Sequence, residues 1–244
     1  MKRDLLRKVC WIGDEYVGGR IKAVVLRFAG LGAATMKDCP DYQEHEWASR
    51  GALLVGPFHN PWAWMNDKTV HFTDQVVAAT ISCLRLPKDI PIIATGGSMG
   101  GHAALMYTIK SEHPIAACYA LSPVCDLLFH YNERPDLPRT LHDAFESYHD
   151  IKGRLISNSP LHQAHRFPDI PYLIVHGTKD KAVSKQHHSD KFVASLCRKS
   201  REVNYIEDQE MAHCGPFRWS QLRAINDFME RAMNARNTNR QRPK

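Results

Sequence analysis

The sequence predicts an α/β fold, a mostly parallel central sheet with helices on both faces, and three observations lead there. Short, near-continuous apolar runs alternate along the chain with longer stretches of helical period, the pattern of strands covered on both sides. One of those runs, Ile90-Pro91-Ile92-Ile93, feeds into Ala94-Thr95-Gly96-Gly97-Ser98-Met99-Gly100-Gly101-His102 and then a helical stretch to Lys110. That succession is a strand, a sharp bend and a helix. Finally, 244 residues, 43% of them hydrophobic and 24% charged, suffice for one such domain with a full core.

In order, residues 1–9 fit a short helix with Leu5 and Leu6 packed on the body. Residues 20–28 form a β-rich run closing on Ala29-Gly30-Leu31-Gly32, and one or two further strands are expected between residues 9 and 28. Residues 41–50 are polar and helix-compatible, 51–56 a short buried strand, and 67–84 a helix in which Val70, Val76, Val77 and Ile81 recur at helical spacing. After the bend at Ser98, residues 115–121 read as a strand ending at Ser122-Pro123-Val124-Cys125-Asp126. Residues 127–168 change character, rich in His, Asp, Arg and Pro, and are expected to lie over the sheet edge as a small lid-like insertion. Strands at 170–176 and 202–207 enclose a helix over 184–198, and Trp219, Leu222, Ile225, Phe228 and Met229 mark one face of a C-terminal helix. No internal repeat or low-complexity linker divides residues 1–244, so one domain is expected, with 236–244 a frayed basic tail.

Composition narrows the function classes. The formal net charge of +6 gathers partly at the two ends and is not interleaved with aromatic residues, so no nucleic-acid role is expected. Seven scattered cysteines, odd in number and without Cys-x-x-Cys spacing, point to reduced thiols rather than disulfides or a zinc site. Neither a signal-peptide core nor an apolar run of about 20 residues is present, so the expectation is a cytoplasmic protein with no membrane contact.

Chemistry centres on Gly96-x-Ser98-x-Gly100. A tight strand-to-helix bend lifts a serine hydroxyl above the strand ends, and small residues at the flanking positions let strand and helix approach. Serine is a weak nucleophile at neutral pH and needs a histidine to take its proton and a carboxylate to orient that histidine. Asp180, in the loop after the 170–176 strand, and His213, in the loop after the 202–207 strand, stand where the order serine, acid, histidine requires. Asp180 could instead cap the following helix, and His213 could be one of the chain's 14 histidines on the surface. Asp126 also follows a strand and competes as the acid, while His102 and His176 read as packing or structural residues.

His176-Gly-x-x-Asp180-x-x-Val183, about 80 residues beyond Gly-x-Ser-x-Gly-Gly and about 30 before the loop histidine, resembles the catalytic domain of the prolyl oligopeptidase family and its esterase relatives. The resemblance runs from about Val24 to Ala232. It implies the α/β-hydrolase fold, with Ser98 as nucleophile, Asp180 as acid and His213 as base. It implies an oxyanion hole from the backbone N–H of Met99 and a second donor in Gly30-Leu31-Gly32, expected at Leu31; the His-Gly that often opens this turn is here Phe28-Ala29-Gly30. His59, Trp62 and Trp64 are candidates for a substrate wall, or for packing against the insertion. No metal or organic cofactor is expected.

The expected activity is cleavage of carboxylic esters through an acyl-enzyme, with a small-molecule ester as partner. A peptidase acting on short peptides is the alternative, and a non-catalytic relative kept as a binding module is the remaining class. Larger members of the resembled family carry an N-terminal β-propeller, and with roughly 20 residues before the first confident strand none is expected in this sequence. In a peptidase, Asp136, Asp143 and Glu146 of the insertion would be candidates to hold a peptide amino terminus. The apolar face of the C-terminal helix is compatible with internal packing or with a homodimer.

Overall fold

The computed structural model describes residues 3–146 and 149–235; the tail expected at 236–244 lies outside them. Helix α1 (Arg3–Val9) runs directly into a three-residue strand, β1 (Cys10–Ile12), and β2 (Ala23–Phe28) follows a short 3-10 turn. Next come α2 (Tyr42–Ser49), β3 (Ala52–Pro57), α3 (Asp67–Cys83), β4 (Ile92–Gly97), α4 (Met99–Lys110) and β5 (Ala117–Leu121). Three short helices, α5 (Leu127–His130), α6 (Leu137–Phe145) and α7 (Ile151–Ser157), occupy the insertion. Strand β6 (Tyr172–Gly177), α8 (Ser189–Leu196), β7 (Val203–Asp208) and α9 (Trp219–Asn234) complete the described chain.

The seven strands form one sheet in the order β1-β3-β2-β4-β5-β6-β7. Only β1 is antiparallel, against β3; the other pairs are parallel. Side chains alternate between the faces as strand geometry requires. Val24, Leu26 and Phe28 of β2 join the core beneath α1, α3, α4 and α8. Ala23 and Val25 join the opposite core, where Trp47 of α2 and Ile225, Phe228 and Met229 of α9 close the other face. Ile225, Phe228 and Met229 are thus packed internally, at most 2% exposed, whereas Trp219 at the start of the expected apolar face is 80% exposed. Burial of each of the three packed side chains contributes about 1.5–3 kcal/mol.

Most element limits differ from the sequence expectation by a few residues, and two of the differences have a physical reason visible in the structure. Strand β4 starts at Ile92 because Pro91 has no N–H for the ladder; its carbonyl still accepts from Val24 N at 2.9 Å. Helix α8 starts at Ser189 rather than 184, because residues 184–188 form a turn whose Ser184 N–H is given to Glu133 of the insertion at 2.9 Å. The insertion builds a third apolar cluster, in which Leu127, Leu137 and Leu141 pack on Trp64, Met99 and Val183.

The bend after β4 depends on two glycines. A Cβ on Gly96 would stand 2.4 Å from the carbonyl of Gly100, and one on Gly100 would stand 2.3 Å from the Phe28 carbonyl oxygen. Both neighbours are backbone held by the sheet and α4, so neither yields cheaply. We expect Gly100→Ala to destabilise the fold by about 3 kcal/mol, read as a lower urea midpoint at unchanged slope.

Candidate active site

Ser98 sits between β4 and α4 with φ 59° and ψ −124°, a conformation non-glycine residues seldom adopt. The surroundings over-determine it: Ser98 N–H donates to Leu121 O at 2.9 Å, and Ser98 O accepts from His102 N at 3.0 Å. A half-buried serine strained in this way at a strand-to-helix bend has the backbone geometry of a nucleophile elbow. Because Met99 begins α4, its N–H belongs to the first-turn donors that no helix carbonyl reaches.

Asp180 and His213 come together on the loops after β6 and β7. His213 Nδ1 donates to Asp180 Oδ2 at 2.7 Å, with the Asp180 side chain fully shielded and 29% of the His213 side chain exposed. The other carboxylate oxygen, Oδ1, accepts from the N–H groups of Ala182 and Val183, each at 2.9 Å. Asp180 therefore does not cap the following helix, which begins at Ser189; one oxygen holds its own loop and the other orients a histidine. Gly177 allows the two loops to meet: a Cβ there would stand 1.9 Å from the Met211 carbonyl oxygen, two residues before His213. That close approach is a physical reason for the glycine in His176-Gly177.

Electrostatics follow from this geometry. Burial would raise the Asp180 carboxyl, but hydrogen bonds from His176, His213 and the Val183 N–H outweigh it and hold the group well below the usual carboxylate range. Burial would likewise lower His213, but the Asp180 hydrogen bond, with the neighbouring Cys214 side chain, lifts it to about 10. The His213 loop lies against the elbow: Cys214 Sγ would stand 3.2 Å from a Cβ on Gly97, and Cys214 N–H reaches Ser122 Oγ at 3.4 Å. Among the described residues, no hydrogen bond joins the Ser98 hydroxyl to His213.

With the site in view, the comparisons decide the family. The profile described as "Prolyl oligopeptidase family" matches residues 51–236, most of the chain and all three of these residues. The chain belongs to the prolyl oligopeptidase family. Solved structures with the same fold include a Mycobacterium tuberculosis puromycin-hydrolyzing peptidase, at TM-score 0.73 and 17% identity over 88% of this chain and 35% of that one. A Pyrococcus horikoshii acylaminoacyl peptidase matches at TM-score 0.71 and 15% identity, over 93% of this chain and 40% of that one. Porphyromonas gingivalis dipeptidyl peptidase 4 matches at TM-score 0.68 and 18% identity, over 90% and 33%. The chain thus spans between a third and two fifths of the length of these proteins. Among curated protein sequences none matches. No helix among the described residues is long and apolar enough to cross a membrane.

The remaining residues singled out from the sequence divide sharply against this family frame. Leu31 is half-buried in the same cluster as Met99, and a Cβ on the preceding Gly30 would lie 3.9 Å from Gly97 O, so the turn after β2 borders the elbow. Gly32 N–H, at φ +81°, donates to Pro61 O at 3.0 Å and ties that turn to the loop after β3. Trp64 is 1% exposed and its indole N–H donates to Thr140 Oγ1 at 3.0 Å, so it packs against the insertion and offers no wall to a substrate. Trp62 lies under the Arg139 guanidinium, 4.6 Å from the ring centroid. With His59, Phe58, Phe72 and Glu146 it lines a cavity of about 390 Å3 between the loop after β3, α3 and the end of α6. Ser98, Asp180 and His213 are not among the described residues of that lining. Asp126 Oδ1 accepts from Leu128 and Phe129 N–H as the cap of α5 and lies 3.3 Å from His162 Nε2. His102 is fully buried, its ring nitrogens facing the carbonyls of Val124 and Trp64 at 3.0 and 3.2 Å.

One cluster was not legible in the sequence. His130, Glu133 and His188 bring three potential metal-ligand atoms within 4.8 Å of one another. However, His188 Nδ1 accepts from the N–H groups of Cys125 and Asp126, each at 3.1 Å, which puts its proton on Nε2. That proton goes to Glu133 Oε2 at 2.9 Å, and His130 Nδ1 bonds the same oxygen. A metal would have to take His188 as an imidazolate, so the chemistry of this donor set fits a hydrogen-bonded tie and not an ion. The tie fastens the insertion to the turn four residues beyond Asp180, through Ser184 N–H.

Proposed function

We propose that this chain is a serine peptidase that cleaves short peptides through an acyl-enzyme, with Ser98 as nucleophile, His213 as general base and Asp180 as its orienting acid. The observation that carries this is the 2.7 Å hydrogen bond from His213 Nδ1 to the shielded Asp180 carboxylate, beside a serine held at φ 59°. In its neutral form, with the one proton on Nδ1, His213 keeps Nε2 free to accept another.

The steps follow from those positions. As the Ser98 Oγ–carbon bond forms at the substrate carbonyl, the hydroxyl proton passes to His213 Nε2. The N–H groups of Met99 and Leu31 stabilise the oxyanion. His213 returns its proton to the leaving amine as the C–N bond breaks. Water then attacks the acyl-enzyme, its proton passes to His213, and the acid leaves as Ser98 Oγ takes that proton back. We expect the hydrogen bond from Ser98 Oγ to His213 Nε2 to form when substrate binds.

The same chemistry cleaves esters, which the sequence placed first. Membership of the prolyl oligopeptidase family and the peptidase activities of the structural relatives support a peptide substrate instead. A panel of aminoacyl and dipeptidyl p-nitroanilides beside p-nitrophenyl acetate and butyrate tests the assignment. We expect turnover of at least one anilide with a kcat/KM matching or exceeding that of the esters. Rapid ester cleavage with every anilide silent would make the protein an esterase.

A further inference from the structure

The acid of the proposed triad is shared by two histidines. His176, the penultimate residue of β6, is fully buried, and its Nε2 lies 3.2 Å from Asp180 Oδ2, the oxygen that also takes the His213 proton. The same Nε2 lies 3.1 Å from Val183 O, so it faces two acceptors and must carry the ring proton. Nδ1 lies 2.6 Å from Ser189 Oγ at the start of α8, and accepts from that hydroxyl. One ring proton on Nε2 thus meets both needs, in a relay Ser189–His176–Asp180–His213.

We propose that His176 is a positioning residue for the reaction, holding the Asp180 carboxylate toward His213 and, by donating to the same oxygen, weakening that oxygen's pull on the His213 proton. This rests on the triad assignment above. A carboxylate oxygen that accepts two hydrogen bonds spreads its charge over both, and each donor is held less tightly than it would be alone. The consequence matters because Asp180 strongly favours the imidazolium of His213, whereas a general base must be neutral to accept a proton. His176 moderates that bias by sharing the oxygen that takes the His213 proton. The other charged groups around the relay are engaged elsewhere: Asp190 of α8 is bonded by Lys185 at 2.7 Å and by the Tyr205 hydroxyl at 2.6 Å, and Lys185 also reaches Glu207 at 2.5 Å. On the far side, Cys214 borders His213.

The test follows the His213 ring by NMR titration beside pH-dependent kcat and KM, in wild type, His176→Leu, His176→Gln, Ser189→Ala and Ser98→Ala. Losing the Nε2 donor should move the His213 midpoint up by about one pH unit and cut kcat at pH 7 about tenfold or more, with KM little changed. His176→Gln, which offers an amide donor, should return part of both effects. Ser189→Ala, which leaves His176 in place but loosens it, should shift the midpoint the same way by less. If His176→Leu does not fold, Ser189→Ala decides. An unmoved His213 midpoint in the folded variants, with Ser98→Ala inactive, would leave the triad standing and reduce His176 to packing. Full activity in Ser98→Ala would instead overturn the triad and this proposal with it.

Discussion

Ser98→Ala is expected to lower kcat/KM by about 10^5-fold on whichever substrate the wild type turns over, while the protein stays folded. The size follows from removing the proposed nucleophile of a unit whose members act together; what survives is the contribution of binding and the oxyanion donors. Stability should barely change, because the hydroxyl supports no part of the fold: the bonds that set the elbow run through Ser98 N–H and Ser98 O. Alanine inherits the strained φ of 59° unaltered, so its melting temperature should lie within about 2 °C of wild type. Ser98→Gly separates the two properties. Glycine adopts this backbone without strain, so it should be as inactive as alanine and melt higher than Ser98→Ala. Calorimetry beside kinetics on the three proteins checks both statements. A Ser98→Ala protein with wild-type turnover would move the nucleophile elsewhere.

What the sequence revealed, and what it hid, follows from the range of the interactions. The elbow was legible because its constraint is local: Gly96 and Gly100 must lack side chains for the strand and helix to meet, and that demand is written within five residues. Asp180 and His213 could be placed because each stands in the loop after a predicted strand, and such loops of parallel strands meet at one end of the sheet. Strand β1 was foreseen only as a further strand, since three residues on an antiparallel edge carry no usable period. Trp64 stood open between pocket and packing, and its partner Thr140 lies 76 residues away, a pairing no local pattern announces. The same holds for the tie between His130, Glu133 and His188. His176 is the instructive case. It was read as structural, and it is buried, but its bond to Asp180 spans four residues across a loop that also bends through Ala182 and Val183. Spacing alone cannot tell which oxygen a side chain will meet.

Asp180→Asn is expected to have the second-largest effect, about 10^4-fold in kcat, and to act through the His213 proton more than through position. The amide oxygen should remain where Oδ1 is, accepting from Ala182 and Val183 N–H, which turns the NH2 group toward His213 Nδ1 and His176 Nε2. Nδ1 must then accept, so the proton of neutral His213 moves to Nε2, where it blocks transfer from Ser98. The pH dependence supplies an independent readout. In the wild type the Asp180 carboxylate lifts His213 to about 10, so the neutral, reactive base grows in as pH rises and kcat/KM should climb above the ordinary histidine range. The ion pair's contribution to stability is fully present below the unfolded-state value of about 6.5 and is lost as pH rises through the folded one. At the acid end, the depressed Asp180 carboxyl contributes stability above its ordinary value and loses it as pH falls through the folded value. With an asparagine the compensating charge is gone while the burial remains, so the His213 midpoint should drop to about 6.5 or below. The stability difference between wild type and variant should accordingly be larger at pH 7 than at pH 10. A variant whose His213 midpoint stays near that of the wild type would show that another group, with Cys214 the nearest, supplies the lift.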